Sequence, residues 1–280
     1  QYLALAERRG IEVVRAPESP EGGVDVAGLA EIVHRRRPRL VAVSHVPTNS
    51  GLVQDVAGVA RVCRSEDVWC LVDACQSVGQ MPVDVASIPC DFLSVTARKF
   101  LRGPRGVGFL YVSDRALEAG LTPLFPDLHG ADWIDDDLFQ PAPDARRFEN
   151  WEFPYALVLG LGAAARYALG VGLEAIAERV RGLSGQLRTA LEEIPGIRVL
   201  DRGTDLCAIV TVHAEGRAPG ELVEALRERG INTSAMGIDS GLLDFRDKEV
   251  DGALRISPHY FNTEEELDTL VEALEEVLPG

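Results

Sequence analysis

The sequence predicts an α/β protein: a mostly parallel sheet covered by helices, then a smaller C-terminal α/β domain. Three observations predict it. Between residues 10 and 112, apolar runs of strand length alternate with segments of helical spacing, the order that builds a parallel sheet with helices on both faces. The runs are continuous rather than alternating, as in "RLVAVSHV" (39–46), which suits strands covered on both sides. A stretch rich in proline and aspartate precedes a second set of strands and helices. This places the division near residue 145, giving domains 1–145 and 146–280.

The opening "QYLALAERRG" reads as the end of a helix stopped at Gly10, and "IEVVRAP" (11–17) as a strand. "DVAGLAEIVHRRR" (25–37) has helical spacing with Asp25 as its N-cap. After the strand at 39–46 comes the helix "QDVAGVARVCRSE", then the strands "WCLVDA" (69–74), "CDFLSVT" (90–96) and "VGFLYV" (107–112). Residues 113–147, with "PLFPDLHGADWIDDDLFQPAPDARR", read as an extended connector. A Gly/Ala-rich helix, "PYALVLGLGAAARYALG", and an amphipathic helix at 172–194 follow. Then come the strands "IRVL" and "LCAIVTV", the helix "APGELVEALRERG", the strands "INTSA" and "ALRIS", and a last helix. Thr263 and Glu266 make a capping box for that helix.

The chain has 280 residues, 46% of them apolar, and a net charge of −16. That balance argues against general nucleic-acid binding, because phosphates are repelled. No apolar run reaches the roughly 18 residues a membrane span needs. The five cysteines, Cys63, Cys70, Cys75, Cys90 and Cys207, suit neither a disulfide framework nor paired zinc knuckles. They are expected mostly as small core residues of a cytoplasmic protein. There is no signal peptide and no initiator methionine, so the true N-terminus is expected to lie upstream.

Against this acidic background, "VTARKFLRGPRGVGFLYV" (95–112) gathers Arg98, Lys99, Arg102 and Arg105 beside three glycines. A solvated turn is the plain reading. The alternative is a site that binds an anion and uses an amine. In parallel sheets ligands bind beyond the carboxyl ends of the strands, which puts Thr48, Asn49, Asp73, Gln76, Thr96 and Lys99 on one rim. Asp73 ends an apolar strand, where it either caps a turn or serves a ligand. Paired with Lys99 it fits pyridoxal 5'-phosphate: the carboxylate would keep the pyridine nitrogen protonated, and the amine would form the imine. Thr96 and Arg98 would donate to the phosphate, Arg98 in a bidentate manner. Gln76, Thr48 or Asn49 would reach the ring oxygen. Arg255, between Leu254 and Ile256, needs a carboxylate partner, from either a structural ion pair or a substrate. His45 reads as a structural strand-end histidine, and the glycines as servants of the tight turn. No strand-linked G-x-G-x-x-G or P-loop is present, which weighs against a nucleotide-binding protein.

Five segments together, "VSHVPTNSGLVQDV", "LVDACQSVGQMPVDV", "CDFLSVTARKFLRGPRGVGFLYV", "RRFENWE" and "LRISPHYFNTEEELD", resemble the class V aminotransferase family. This group includes cysteine desulfurases, isopenicillin epimerase-like proteins and C–S lyases. The resemblance implies a three-layer pyridoxal-phosphate transferase fold, incomplete at its N-terminus, and a homodimer acting on an amino acid. It implies Lys99 as the Schiff-base lysine, Asp73 as pyridine partner, Gln76 as ring-oxygen ligand, Thr96 and Arg98 as phosphate ligands, and Arg255 as the clamp for the substrate carboxylate. It places "RRFENWE" near the cofactor at a subunit contact, with Arg147 and Glu149 in structural roles. One departure is plain. Desulfurases of this family carry a persulfide-forming cysteine on the loop before the arginine strand, and "SAMGIDSGLLDFRDKEVDGA" has none. The expected activity is amino transfer or β-elimination at a C–S bond; the alternative is a non-catalytic fold fragment without a complete pocket.

Overall fold

The computed structural model describes residues 1–278. After helix α1 (Tyr2–Arg9) and helix α2 (Val26–Arg36), strand β1 (Leu40–Ser44), helix α3 (Val56–Ser65), and strands β2 (Trp69–Asp73), β3 (Phe92–Thr96) and β4 (Gly108–Val112) form the first unit. The sheet order is β1-β2-β3-β4. β1, β2 and β3 run parallel, and β4 returns antiparallel through a hairpin. Asp25 caps α2 by accepting from the amides of Ala27 and Gly28. Asp55 caps α3 through Gly58. Val33, Val59, Cys63, Cys70 and Val72 pack between helices and sheet, each fully buried apolar side chain contributing about 1.5–3 kcal/mol.

Two expectations for this half are corrected. Residues 11–17 form no strand, because no neighbouring strand lies within ladder distance. Ile11, Val13 and Val14 are exposed, and an apolar groove of about 520 Å³ separates this segment from β1. The connector is also more ordered than its composition suggests. It holds helix α4 (Asp114–Glu118) and a hairpin of β5 (Ala131–Asp135) with β6 (Leu138–Pro141), in which Trp133 pairs across to Phe139.

Helices α5 (Tyr155–Val171) and α6 (Leu173–Glu192) lead to strands β7 (Ile197–Val199) and β8 (Val210–Ala214), helix α7 (Pro219–Glu228), strand β9 (Ser234–Gly237), helix α8 (Leu242–Asp247), strand β10 (Gly252–Ile256) and helix α9 (Glu264–Val277). The second sheet has the order β7-β8-β10-β9 and every pairing is antiparallel. Side chains of α6, α7 and α9 cover one of its faces with Leu187, Leu226 and Leu274. The strand expected at "INTSA" begins only at Ser234 and runs on to Gly237, where it pairs with β10. The Thr263–Glu266 capping box is formed. A third core, with Val46, Phe100 and Leu101 against Ile176, Val180 and Ile209, joins the two sheets' elements.

Candidate active site

Because β1, β2 and β3 are parallel, their carboxyl ends open onto one rim. Ser44 lies beside Asp73, and Asp73 beside Ser94, two residues before Thr96. Three turns leave this rim, carrying Thr48, Gln76 and Lys99. The Lys99 turn is closed by backbone bonds from Gly103 to Ala97 and from Arg102 to Lys99, both 2.8 Å. Gly79 presses on it from the neighbouring turn. Gly79 has φ +97°, and a Cβ there would stand 2.2 Å from the Leu101 nitrogen. Only glycine meets both demands.

Thr48, Gln76, Arg98, Lys99, Phe100, Arg255, Ser257 and His259 line a cavity of about 440 Å³ at this rim. A wider opening, about 700 Å³ between Phe125 and Trp151, has neither lysine nor arginine in its lining. The smaller cavity is basic: among the described residues no ion pair forms with Arg98, Lys99 or Arg255. Burial lowers the pKa of Lys99, Arg255 and Arg98 push it the same way, and Cys75 and Asp73 oppose them. Burial also lowers the pKa of Arg255, whose Nε is buried with no hydrogen-bond partner. Of the two partners open to this arginine, the structural one is not found: among the described residues no carboxylate pairs with it. A buried guanidinium nitrogen without a partner is costly, so the geometry calls for an external anion.

The polar neighbours divide. The Gln76 side chain, 2% exposed, donates from Nε2 to the Thr48 hydroxyl at 3.0 Å, while its Oε1 is buried without a partner. Asp73 is exposed at the end of β2 and does cap its turn, its Oδ1 accepting from the Cys75 amide at 2.9 Å. Asp73 also helps burial push the Cys75 thiol up to about 11. Thr96 is half-buried at the end of β3. Asn49 is set apart. Its side-chain amide donates to the Ser240 carbonyl, so it ties the rim to the C-terminal unit rather than lining the cavity with Lys99.

Other residues take structural places. Arg147 is buried and donates to the carbonyls of Ala142, Leu117 and Leu121, and Glu149 faces His129 at 3.4 Å. His45 is buried, which lowers its pKa. Cys63, Cys70, Cys90 and Cys207 are buried, and Cys75 is half-buried near the rim. Two cavity residues, Ser257 and His259, are not singled out by any sequence pattern. Their only signal is position, just past the Arg255 strand. A further signal lies in plain counting: the chain has two lysines, Lys99 and Lys248, the second buried against Asp244 at 2.8 Å.

Comparison with known proteins bears on the family and the fold. The Aminotransferase class-V family model matches residues 2–270. A probable cysteine desulfurase of Methanothermobacter thermautotrophicus is 32% identical over 99% of this chain and 69% of its own length. A probable hercynylcysteine sulfoxide lyase of Mycobacterium tuberculosis is 31% identical over 97% of this chain and 65% of its own. Among solved structures, the cystine C–S lyase C-DES in complex with its product cysteine persulfide superimposes with a TM-score of 0.84 at 26% identity, covering 99% of this chain and 72% of that one. A C-DES mutant with glycine covalently linked to its PLP cofactor gives the same TM-score at 25% identity, covering 98% and 70%. The chain thus spans about two-thirds of the relatives it matches. With a family match along nearly its whole length and a lysine–arginine cavity at the carboxyl ends of its parallel strands, this chain belongs to the class-V aminotransferase family.

Proposed function

We propose that this protein is a pyridoxal-phosphate enzyme that cleaves the carbon–sulfur bond of a sulfur-bearing amino acid. The observation that carries the reading is the cavity shared by Lys99 and Arg255: a half-buried amine with a lowered pKa and a half-buried arginine whose Nε is buried with no partner among the described residues. The cofactor, when bound, supplies an electron sink for the carbanion at the substrate's α-carbon. The residues present fit it. Lys99 Nζ would hold it and could carry the substrate's α-proton, since its lowered pKa keeps more of it neutral. The Asp73 carboxylate would keep a proton on the pyridine nitrogen. Arg98 and Thr96 would hold the phosphate, and Gln76, which gives one Nε2 hydrogen to Thr48, would have a second to offer the ring oxygen. Arg255 grips the substrate carboxylate and so orients the α-proton toward Lys99.

Cleavage at sulfur is preferred over amino transfer because the relatives above are named for sulfur chemistry. The stretch 234–253 holds no cysteine, which favours direct release of the sulfur fragment over relay through a protein persulfide. A homodimer is part of the proposal. Leu159 and Leu169 of α5 are 74% and 67% exposed, and apolar side chains of the connector, Phe125 and Leu128 among them, are exposed as well; exposed apolar surface suits a protein contact.

Borohydride trapping tests the reading. The protein is mixed with pyridoxal phosphate, reduced and digested. Label on Lys99, lost in Lys99→Ala, is expected; a peptide map without Lys99 label would overturn the cofactor role. Keto-acid release from cysteine derivatives without any amino acceptor is then expected. Turnover that requires an acceptor would replace the lyase by a transaminase.

A further inference from the structure

His259 lies four residues after Arg255, yet its ring reaches back to the Lys99 turn. Its Nε2 is 3.0 Å from the Phe100 carbonyl, and its Nδ1 is 3.0 Å from the Tyr260 amide. A carbonyl only accepts and a backbone amide only donates, so both contacts hold together in one form of the ring: neutral, with the proton on Nε2. Burial and nearby Arg102 lower the His259 pKa and support that form, although the Phe100 bond opposes them. The ring is stacked between Phe100, centroids 5.5 Å apart, and Phe261, 4.6 Å. It is 8% exposed. Phe100 is the residue bonded to Lys99, and both line the cavity with Arg255 and His259.

We propose that His259 is a positioning residue: as the Nε2-protonated ring it holds the Phe100 carbonyl and thereby fixes Lys99 relative to Arg255. The strand that carries the carboxylate clamp and the turn that carries the amine come from different sheets. Phe100 and His259, 159 residues apart in sequence, are joined by this side-chain bond; the neighbouring Arg102–Tyr260 bond, at 3.1 Å, and packing support it. A ligand gripped by Arg255 would load the same segment that anchors Lys99. The consequence for catalysis rests on the function proposed above, but the tie itself does not.

Two variants separate the bond from the packing. His259→Phe keeps a flat ring between Phe100 and Phe261 and removes the donor. His259→Gln loses the ring but restores an amide that can donate to the carbonyl and accept from Tyr260. In the full chain without cofactor, amide hydrogen exchange over residues 97–103 is expected to quicken about five- to tenfold in His259→Phe and to return most of the way in His259→Gln. Nitrogen NMR of the parent is expected to show His259 protonated on Nε2 alone. Equal exchange in the parent and His259→Phe, or a proton on Nδ1, overturns the proposal whatever the cofactor does. With pyridoxal phosphate added, His259→Phe is expected to shift the pH at which the lysine adduct's absorption band changes, and His259→Gln to restore it. If the parent forms no Lys99 adduct, the proposed function fails while exchange still decides the tie.

Discussion

Arg188 and Asp201 form a buried ion pair that holds the rim loop of the first sheet against the second. The Arg188 Nε lies 2.9 Å from Asp201 Oδ2, with the two side chains 10% and 0% exposed. Both side chains make further hydrogen bonds. Asp201 accepts from the Gly51 amide at 2.9 Å and the Thr211 hydroxyl at 2.6 Å. Arg188 donates to the carbonyls of Cys207 and Ile209 at 2.9 and 2.6 Å. Gly51 follows the loop carrying Thr48 and Asn49, and Cβ growth there would meet Arg188 and the Ile209 carbonyl. The pair is thus structural, although its effect reaches the cavity.

Breaking that pair is expected to be expensive. Asp201→Asn keeps the shape but leaves the Arg188 charge without its counterion, a loss of about 3–5 kcal/mol. Chemical denaturation followed by circular dichroism measures it. A cost under about 1 kcal/mol would place the pair among solvated surface bridges instead.

The parent Lys99 is expected to be unusually reactive. The only other lysine, Lys248, is buried in its pair with Asp244, so an amine-selective reagent reports on Lys99 once the N-terminal amine is accounted for. Its pKa lies below 10.5 because burial disfavours the ammonium. The neutral amine therefore accumulates at lower pH than in an unfolded chain, and labelling should rise through a window below 10.5. The folded protein also binds fewer protons than the unfolded one between the lowered pKa and 10.5. This group alone thus makes stability rise with pH across that window. Mass spectrometry of the Lys99 peptide across pH, with and without denaturant, checks it. Coincident folded and unfolded profiles would remove the argument from burial.

Much of this architecture is legible in the amino-acid sequence. The continuous apolar runs of β1, β2 and β3 announce a parallel sheet, and once they do, Asp73 and Lys99 must share a rim. What stays hidden depends on distant partners. "IEVVRAP" has strand-forming residues, but strand structure is a property of a pair, and no partner lies beside it. Asn49 faces Ser240 across 191 residues, which no local pattern encodes, so its separation from the cavity residues does not follow from its neighbours. His259 escapes for the same reason. The second sheet's antiparallel order is equally invisible, because its connections, a loop between β7 and β8 and helices after β8 and β9, allow either direction.

Gly79 carries the next prediction. Gly79→Ala places a methyl group 2.2 Å from the Leu101 nitrogen and 2.4 Å from the Phe100 carbonyl carbon at φ +97°. A clash with backbone in the left-handed region is expected to cost about 3 kcal/mol or more and to displace the Lys99 turn. Gly182→Ala is the control: that helix position has nothing within 4 Å of the added carbon, and stability should rise by about 0.5–1 kcal/mol. Thermal melts of the pair distinguish a packed contact from a general intolerance of alanine. Equal melts would show that the turn yields.

Arg255 gives the sharpest test, because function and stability should move in opposite directions. Its Nε is buried and unpartnered, and burial works against its charge. Arg255→Met fills similar space without an unsatisfied donor. In the absence of ligand the variant is expected to be more stable by about 1–3 kcal/mol, a gain reserved for residues kept for function rather than folding. The same change removes the carboxylate clamp. Small amino acids should raise the melting temperature of the parent and leave that of Arg255→Met unchanged, as linkage requires when the site is gone. Differential scanning calorimetry with and without glycine reads both effects in one experiment. A variant less stable than the parent would mean that the guanidinium finds enough water or carbonyl partners to support the fold, and its openness to an external anion would lose its basis.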